Sequence, residues 1–339
     1  MRAVVIGVGH YHATYAPFYL DLLRKHGVEI PAVHDPDTAV AEATAARIGS
    51  AAYADMRAML AEVRPDFILG LGRHVDMPAS VEAAIESGIP AIMEKPWGID
   101  PETVAALALR AGAAGAWIAT PFSMRHSLWA QRCREMVHAA DAMGGVSNLR
   151  FRMVRPGVQR YIDQGCPWML SKAEAGGGVL LNLGIHGMDL CRWITGEEPL
   201  VVSAHVSNAV FGLDIEDYAH ITLQTPSGVL FHVEVGYTYP QDGGADDERV
   251  FYSGSKPGAT EQGRFGGGVM LREVPDGLEV VTRDGIETVP TPRDMLTSWE
   301  GVVVDCIERI RQGAPPPNTP SDLSRAVSLV FEAYRIAGV

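Results

Sequence analysis

Lys95 and His186 are the residues whose types and surroundings are best suited to proton chemistry. Lys95 lies in Glu94-Lys95-Pro96, directly after the apolar run at residues 91–93, which is typical of a buried strand. In an open parallel sheet, ligands bind beyond the carboxyl ends of the strands. There the Lys95 ammonium would stabilise an alkoxide that develops on a substrate. The alternative is a solvated lysine that follows a strand and has no chemical role.

His186 lies in a glycine-rich segment at residues 176–193, which reads GGGVLLNLGIHGMDLCRW. The glycines indicate a loop packed close to a ligand or to backbone, and the residues after them predict a helix. On a helix, Asn182 and His186 share a face, and so do His186 and Asp189. An imidazole titrates near neutral pH, so it can accept a hydroxyl proton there. The alternatives are a core histidine bonded to backbone and a structural aspartate.

A glycine turn near the N-terminus predicts a nucleotide site. Gly7-Val8-Gly9 stands between a predicted strand and a predicted helix, where the first glycine permits a tight turn and the second lets backbone approach a pyrophosphate. His12 occupies the third position of this fingerprint, which is therefore incomplete. The alternative is an ordinary turn between a strand and a helix. The residues of this turn that we expect to contact the cofactor are Gly7, Gly9, His10, Tyr11 and His12.

Asp35 ends the second predicted strand and points to the identity of that nucleotide. A carboxylate at this place can accept hydrogen bonds from the ribose hydroxyls of adenosine and would repel the 2′-phosphate of NADP. NAD is therefore favoured over NADP, and Asp35 joins the expected cofactor contacts. The alternative is an aspartate that only caps a helix or a turn.

Charge, cysteine content and hydropathy exclude several classes of protein. The net charge is −13 without a block of Lys and Arg, which argues against nucleic-acid binding. The four cysteines form no CxxC pair, so we expect neither structural zinc nor a disulfide framework, and a reducing cytoplasm is the default location. The N-terminal apolar run is too short for a signal peptide, and no stretch is long enough to span a membrane. His10 and His12 have no acidic or thiol partner nearby in sequence, so we predict no metal site.

The elements that must position these residues follow two patterns along the 339 residues. Up to residue 121, short apolar runs alternate with helical stretches, which predicts a parallel, doubly wound sheet. After residue 121 the apolar runs become β-rich and several alternate with polar residues, which predicts a largely antiparallel sheet. A Gly- and Asp-rich stretch at 242–247 indicates a surface loop. The predicted strands are 2–6, 28–33, 67–71, 91–93, 116–119, 146–154, 200–210, 218–224 and 229–237, and the predicted helices are 13–26, 38–48, 78–87, 101–111, 126–140, 298–312 and 323–337.

Taken together, these motifs resemble the Gfo/Idh/MocA family, which includes glucose–fructose oxidoreductase and inositol dehydrogenase. Gly7-x-Gly9, Pro65-Asp66-Phe67-Ile68-Leu69, Glu94-Lys95-Pro96 and the 176–193 segment occur in that family's order, and the resemblance covers essentially the whole chain. It implies an α/β fold with an N-terminal Rossmann doubly wound parallel sheet at 1–121. A C-terminal α/β domain with a large, mostly antiparallel sheet would follow at 122–339, for substrate binding and oligomerisation. A homo-oligomer, a dimer or a tetramer, is expected.

The resemblance also implies roles for individual residues. The family pattern Asp-x-Gly-x-His-x-x-Asp matches at His186 and Asp189, whereas Asn182 replaces the first aspartate. In relatives the histidine acts as acid and base together with the lysine. Arg125 stands where relatives often place an arginine that lines the cleft, and the alternative is an ion pair with a carboxylate. Trp168 stands in the stretch that shapes the substrate pocket in relatives, and the alternative is core packing. The expected catalytic residues are Lys95, His186 and Asn182. The expected substrate contacts are these three residues together with Arg125 and Trp168. Gly72, Glu94 and Lys95 complete the expected cofactor contacts.

These expectations combine into one predicted reaction. It is a reversible hydride transfer between a secondary alcohol of a sugar, polyol or related cyclic alcohol and the nicotinamide of NAD(P). His186 would remove the hydroxyl proton, Lys95 would stabilise the alkoxide, and Asn182 would orient the substrate. Two alternatives keep the fold: an NAD-dependent glycosidase that uses transient oxidation, and a regulatory protein that binds a dinucleotide without catalysis. Retention of Lys95 and His186 argues against the second alternative, and Asn182 argues slightly for it.

Overall fold

The computed structural model describes residues 1–14, 19–139, 145–239, 262–274, 277–290 and 295–339 in two compact units. Unit 1 comprises Met1–Pro121, Tyr161–Gly176 and Glu300–Val327, and unit 2 comprises Phe122–Arg160, Gly177–Trp299 and Ser328–Val339. The division into domains at 1–121 and 122–339 stays a prediction. None of the described helices is long and apolar enough to cross a membrane. The predicted loop at 242–247 lies outside the described residues.

Unit 1 is built on a six-stranded parallel sheet, which confirms the predicted Rossmann fold. Its strands are β1 (Arg2–Ile6), β2 (Glu29–His34), β3 (Ala51–Tyr53), β4 (Phe67–Gly70), β5 (Ala91–Met93) and β6 (Ile118–Ala119). The spatial order is β3-β2-β1-β4-β5-β6. The strand order therefore reverses between β1 and β4, and in such sheets ligands bind in the crevice outside the carboxyl ends at that point. The glycine turn follows β1, and Gly72 follows β4.

Helices connect the strands of this sheet. They are α1 (Tyr11–Thr14), α2 (Tyr19–Lys25), α3 (Thr38–Ile48), α4 (Met56–Val63), α5 (Met77–Ser87) and α6 (Pro101–Ala113). Aspartates begin several of them, since the carboxylates of Asp37, Asp55 and Asp100 accept backbone amides of the first turn. The predicted helix at 13–26 corresponds to α1 and α2, while its residues 15–18, including Pro17, lie outside the described residues.

Unit 2 is built on an eight-stranded mixed sheet, which confirms the prediction of a large, mostly antiparallel sheet. Its strands are β7 (Val146–Pro156), β8 (Leu200–Ser207), β9 (Tyr218–Gln224), β10 (Leu230–Tyr239), β11 (Gln262–Phe265), β12 (Val269–Val274), β13 (Gly277–Thr282) and β14 (Gly285–Pro290). β7 and β10 pair in parallel, and the other pairs are antiparallel. In β10, buried Phe231, Val233 and Val235 alternate with more polar residues, so one face of the sheet forms core.

The remaining helices are α7 (Leu128–His138), α8 (Gln159–Asp163), α9 (Lys172–Ala175), α10 (Ile185–Thr195), α11 (Met295–Gln312) and α12 (Pro320–Ala337). A π-helical turn at Leu180–Gly184 precedes α10. Asn182 lies in this turn and His186 in α10, so the helix predicted after the glycines begins with a π turn. That Asn182 and His186 share a face stays a prediction. His186 and Asp189 lie three residues apart on α10, as predicted.

Candidate active site

The backbone at the end of β1 packs directly against the backbone after β4. Gly7 has a φ of +77°, and a Cβ atom there would lie 2.5 Å from Cα of Gly72. The Gly7 amide donates to the carbonyl oxygen of His34, the last residue of β2, over 2.8 Å. A side chain at residue 7 would therefore be strained and would collide with the β4 loop. The turn has the tight form that the first glycine of the fingerprint predicts, and Gly72 lies against it.

Asp35 follows β2, and its carboxylate binds the same turn. Oδ2 accepts the amide hydrogen of Gly9 over 2.7 Å, and Oδ1 accepts that of Asp37 over 3.0 Å. Burial raises the pKa of Asp35, and the two amide donors oppose that shift. Each oxygen uses one of its two lone pairs for these bonds, so each can still accept a hydrogen bond from a ribose hydroxyl.

Glu94 joins the end of β5 to the first two helices. Its Oε1 accepts the hydroxyl hydrogen of Tyr19 over 2.6 Å and lies 3.3 Å from Nδ1 of His12. All three side chains are buried. Burial and the neighbouring Glu94 carboxylate raise the pKa of Tyr19 well above its ordinary value. His12, which stands where the fingerprint has a small residue, therefore lies beside the Glu94 carboxylate and edge-on to Tyr19.

Lys95 is only 5% exposed, so the alternative of a solvated lysine is wrong. It follows β5 directly, and its amide donates to Oε2 of Glu94 over 3.1 Å. The bond between Lys95 and Pro96 is a cis peptide. After it, the buried indole of Trp97 donates to the carbonyl oxygen of Met93 over 3.3 Å. The Lys95 ammonium is thus a buried cation at the carboxyl edge of the Rossmann sheet, the edge at which this fold binds ligands.

Two buried imidazoles surround the indole of Trp168. The ring centroids of His10 and His74 lie 5.7 Å and 5.1 Å from that of Trp168. Burial and then the neighbouring His12 lower the pKa of His10 well below its ordinary value. Burial and then the positive charge of Lys95 lower the pKa of His74 to about 3. Both imidazoles are therefore neutral at physiological pH, and Lys95 acts electrostatically on both.

Side chains of the Tyr161–Gly176 segment also pack against the glycine turn. Tyr161 meets Tyr11 edge-on with ring centroids 5.7 Å apart, and Tyr11 stacks on His10 at 4.4 Å. The Cys166 thiol contacts the carbonyl oxygen of Gly9 at 3.2 Å. Burial raises the pKa of Cys166 to about 12, so this thiol stays protonated at physiological pH. Tyr161 and Cys166 of this segment therefore contact two residues of the predicted turn, Tyr11 and Gly9.

In unit 2, Asn182 is buried in the π-helical turn. Its Nδ2 donates to the Tyr237 hydroxyl, on β10, over 2.8 Å, which fixes the direction of the carboxamide. The turn itself is held by Glu216, whose carboxylate accepts the amides of Gly178 and Leu180 over 2.9 Å and 2.8 Å. Tyr334 donates a third hydrogen bond to Glu216 over 2.7 Å.

The glycine run before this turn is required by close packing. A Cβ atom at Gly178 would collide with the carbonyl oxygen of Glu216, and one at Gly177 would collide with the Tyr334 hydroxyl. Gly176 has a φ of +80°. The prediction that these glycines pack close to a ligand or to backbone is confirmed for backbone at Gly176, beside Ile99, and at Gly178, beside Glu216.

His186 lies in the first turn of α10, 8% exposed, and meets Phe122 edge-on with ring centroids 6.3 Å apart. Further along α10, Asp189 binds Arg125 in a bidentate ion pair, with Nε to Oδ2 at 2.8 Å and Nη2 to Oδ1 at 2.5 Å. The guanidinium is therefore engaged by protein, as the ion-pairing alternative for Arg125 expects. Its assignment as a substrate contact stays a prediction.

His74, Tyr237 and Glu216 were absent from the predicted site residues. His74 follows Gly72 by two residues, so its place after β4 was a signal that could have found it. Tyr237 and Glu216 reach the 176–193 segment only through contacts distant in sequence, and no local pattern marks them. Within the described ranges, no group of three or more His, Cys, Asp or Glu side chains is arranged to hold a metal ion.

Comparison with known proteins agrees with this architecture. Residues 1–120 match the model of the oxidoreductase family with an NAD-binding Rossmann fold, GFO/IDH/MocA, and residues 130–258 match the C-terminal domain of the same family. D-glucoside 3-dehydrogenase of Escherichia coli (strain K12) is 27% identical over 198 residues, 58% of this chain and 54% of that enzyme. D-apiose dehydrogenase of Paraburkholderia graminis is 24% identical over 350 residues, covering 98% of this chain and 86% of that enzyme.

A solved structure shares the fold over nearly the whole chain. An oxidoreductase from Agrobacterium radiobacter, in complex with NAD⁺, L-tartaric acid and magnesium, superposes with a TM-score of 0.81 at 20% identity, covering 99% of this chain and 96% of that one. The Rossmann domain matched at residues 1–120 is an NAD-binding domain. The chain spans about half the length of the E. coli dehydrogenase that it matches. With both family models matched in order along the sequence, the chain belongs to the Gfo/Idh/MocA family of oxidoreductases.

Proposed function

We propose that this protein is an NAD-dependent dehydrogenase that oxidises, reversibly, a secondary alcohol of a sugar, a polyol or a related cyclic alcohol. One observation carries the proposal: Lys95, a residue only 5% exposed, lies at the carboxyl edge of an NAD-binding Rossmann sheet. Buried ionisable side chains with strong electrostatic effects on their neighbours concentrate at functional sites, and Lys95 acts on both His10 and His74.

The residues present fit the cofactor. Gly7, Gly9 and the loop at Gly72 would hold the pyrophosphate against backbone, since the φ of +77° at Gly7 gives the tight turn that this approach requires. Asp35 would accept the ribose hydroxyls, and its negative charge favours NAD over NADP. When bound, NAD takes up the hydrogen and the electron pair that leave the alcohol carbon.

Side chains of the protein would remove the proton of the alcohol and stabilise the charge that is left on its oxygen. Lys95 would stabilise the negative charge that develops on the alcohol oxygen, which is worth most in a site from which water is excluded. His186 would accept the hydroxyl proton. Asn182, held by Tyr237, would orient the substrate as a neutral partner. These three roles come from the family resemblance and from the surroundings of each residue.

The names of relatives support the substrate class. Two of them are dehydrogenases of a D-glucoside and of D-apiose, and a third, 30% identical over 206 residues, is a myo-inositol dehydrogenase. All three substrates are polyhydroxylated. A homo-oligomer and a cytoplasmic location stay predictions of the sequence.

The test is a substrate panel assayed with NAD and with NADP separately. Methyl β-D-glucopyranoside, D-apiose and myo-inositol are each supplied, and the absorbance of the reduced nicotinamide is followed. We expect turnover with at least one of them and a higher kcat/KM with NAD. Lys95→Ala should lower kcat by about 100-fold or more and leave NADH affinity within about twofold, while Lys25→Ala, at an exposed ion pair, should leave both unchanged.

The other outcomes separate the rival functions. Cleavage of the methyl glucoside without net NADH would indicate the NAD-dependent glycosidase. NADH binding with no reaction on any panel member would indicate the regulatory protein. Unchanged turnover in Lys95→Ala would remove Lys95 from the mechanism.

A further inference from the structure

His74 presents a buried hydrogen-bond acceptor that the proposed function does not use. The imidazole is 1% exposed, and its Nδ1 lies 2.7 Å from the carbonyl oxygen of Ala175. A carbonyl accepts only, so Nδ1 carries the hydrogen and Nε2 carries the lone pair. Within the described part of the chain, Nε2 has no hydrogen-bond partner. Leaving a buried acceptor unpaired is costly, so such an atom in a native protein calls for an explanation.

The chemistry of that atom is fixed over the whole physiological range. Burial and the charge of Lys95 lower the pKa of His74 to about 3, so the ring stays neutral. A neutral ring with its tautomer set by Ala175 offers one lone pair and no second donor. Any group that pairs with Nε2 must therefore donate a hydrogen. A metal ion is disfavoured, since the described residues hold no group of ligands for one.

The surroundings of His74 indicate what the donor belongs to. The ring lies edge-on to Trp168, 5.1 Å between centroids, which gives the acceptor an apolar aromatic neighbour. The positive charge of Lys95 is, after burial, the main cause of the lowered pKa of His74. A neutral acceptor and a cation beside an aromatic side chain together suit a polyhydroxylated ligand, whose hydroxyls can donate to the acceptor.

We propose that Nε2 of His74 accepts a hydrogen bond from a substrate hydroxyl that is not the one oxidised, and so selects polyols that carry this hydroxyl. The inference rests on the proposed function and deepens it, because it makes His74 a specificity residue for the same reaction. A site built around a buried acceptor rejects a deoxy analogue, since the analogue leaves that acceptor unpaired.

Two variants distinguish the acceptor atom Nε2 from the hydrogen bond between Nδ1 and the Ala175 carbonyl. His74→Asn places an amide donor near the position of Nδ1 and can keep the bond to Ala175, but it removes the acceptor. His74→Gln offers an acceptor near the position of Nε2. His232→Asn, at a histidine on β10 whose Nδ1 lies 3.3 Å from Thr222 Oγ1, is the matched control.

Kinetics with the best member of the panel and its monodeoxy derivatives give the first measurement. In the wild type, one deoxy derivative should lose roughly tenfold or more in kcat/KM. His74→Asn should lose a similar factor with the parent sugar and show no further loss with that derivative. His74→Gln should recover part of the loss, and NADH affinity should stay within about twofold in each variant. Equal deoxy penalties in wild type and His74→Asn would overturn the proposal.

Nitrogen NMR of protein labelled with ¹⁵N-histidine gives a measurement that does not need turnover. The His74→Asn spectrum identifies the resonances of residue 74 among the 11 histidines. Nε2 should show the shift of an unprotonated nitrogen, stay unchanged with NADH alone, and move upfield when NADH and the polyol are both present. A shift with NADH alone would assign the donor to the nicotinamide carboxamide and refute the substrate hydroxyl.

The two measurements also distinguish failure of this inference from failure of the proposed function. If the wild type turns over a panel substrate and His74→Asn has the same kcat/KM, only the proposed role of His74 is refuted. If the wild type turns over no panel member, and none of them shifts the Nε2 resonance at saturating NADH, both the role of His74 and the proposed function are refuted.

Discussion

The ion pair between Arg125 and Asp189 allows a structural role for the arginine to be separated from a substrate-binding one. The side chains are 10% and 1% exposed, and two hydrogen bonds of 2.8 Å and 2.5 Å join them. Arg125→Met would leave the Asp189 carboxylate buried without this cation. Breaking a buried pair from one side costs about 3–5 kcal/mol of the free energy of unfolding. We expect a loss of that size.

Removing both charges should cost far less. Replacing a buried ion pair by apolar residues of similar volume is about neutral, or stabilises by about 1–4 kcal/mol. The double variant Arg125→Met with Asp189→Leu should therefore be more stable than Arg125→Met alone. The control is Arg132→Met, whose ion pair with Glu135 is exposed on α7 and should contribute about 1 kcal/mol or less.

Urea unfolding followed by circular dichroism measures these free energies, and kcat/KM of the double variant measures function. An Arg125→Met protein within about 1 kcal/mol of the wild type would refute the reasoning from the buried pair. If the double variant is stable and active, Arg125 acts through structure. If it is stable but has lost activity by about 100-fold, the arginine binds substrate as the sequence predicts.

Three further predictions concern unit 1. Gly7→Ala should weaken NADH binding by more than tenfold and should destabilise the fold by about 1–3 kcal/mol more than Gly27→Ala does. Both glycines have a positive φ, +77° at Gly7 and +70° at Gly27, but of the two only Gly7 has backbone atoms where the Cβ atom of alanine would lie. Asp35→Ser should lower the ratio of kcat/KM with NAD to that with NADP by about tenfold, measured with both cofactors. The pKa of His74 in the folded state, about 3, lies below its value in the unfolded state, about 6.5. The neutral ring therefore contributes its full stability above about pH 6.5, and this contribution falls by about 1.4 kcal/mol per pH unit below that pH. In His74→Asn, the free energy of unfolding in urea should consequently decrease less steeply as the pH is lowered.

Sequence patterns predicted the Rossmann sheet well because its strands carry a strong signal. Parallel strands buried on both faces read as continuous apolar runs, such as Val4-Val5-Ile6, all at most 1% exposed. β3 and α4 were not predicted, since Ala51 and Ala52 are exposed and give no hydrophobic contrast. β11 to β14 were also missed, although Asp284-Gly285, where the chain enters β14, is a hairpin signal.

The candidate site was predictable only in part, for a different reason. Gly7, Asp35 and Lys95 follow strand ends, and strand order alone brings the ends of parallel strands to one edge. The partners that hold the site come from distant segments: Ala175 lies 101 residues from His74, and Tyr237 lies 55 residues from Asn182. Such pairs depend on the packing of helices and on the register of the second sheet, which periodicity does not encode.

The two departures from the family pattern each have a partner in the fold. A glycine at residue 12 would have no side chain to contact Glu94, whereas the imidazole of His12 lies 3.3 Å from that carboxylate. At residue 182, the carboxamide donates to the Tyr237 hydroxyl. An aspartate there could only accept from that hydroxyl while ionised, so asparagine reverses the hydrogen bond and removes one negative charge. The loss of that charge leaves proton acceptance in the proposed reaction to His186 without help from residue 182, while Asn182 keeps the capacity to orient a hydroxyl group.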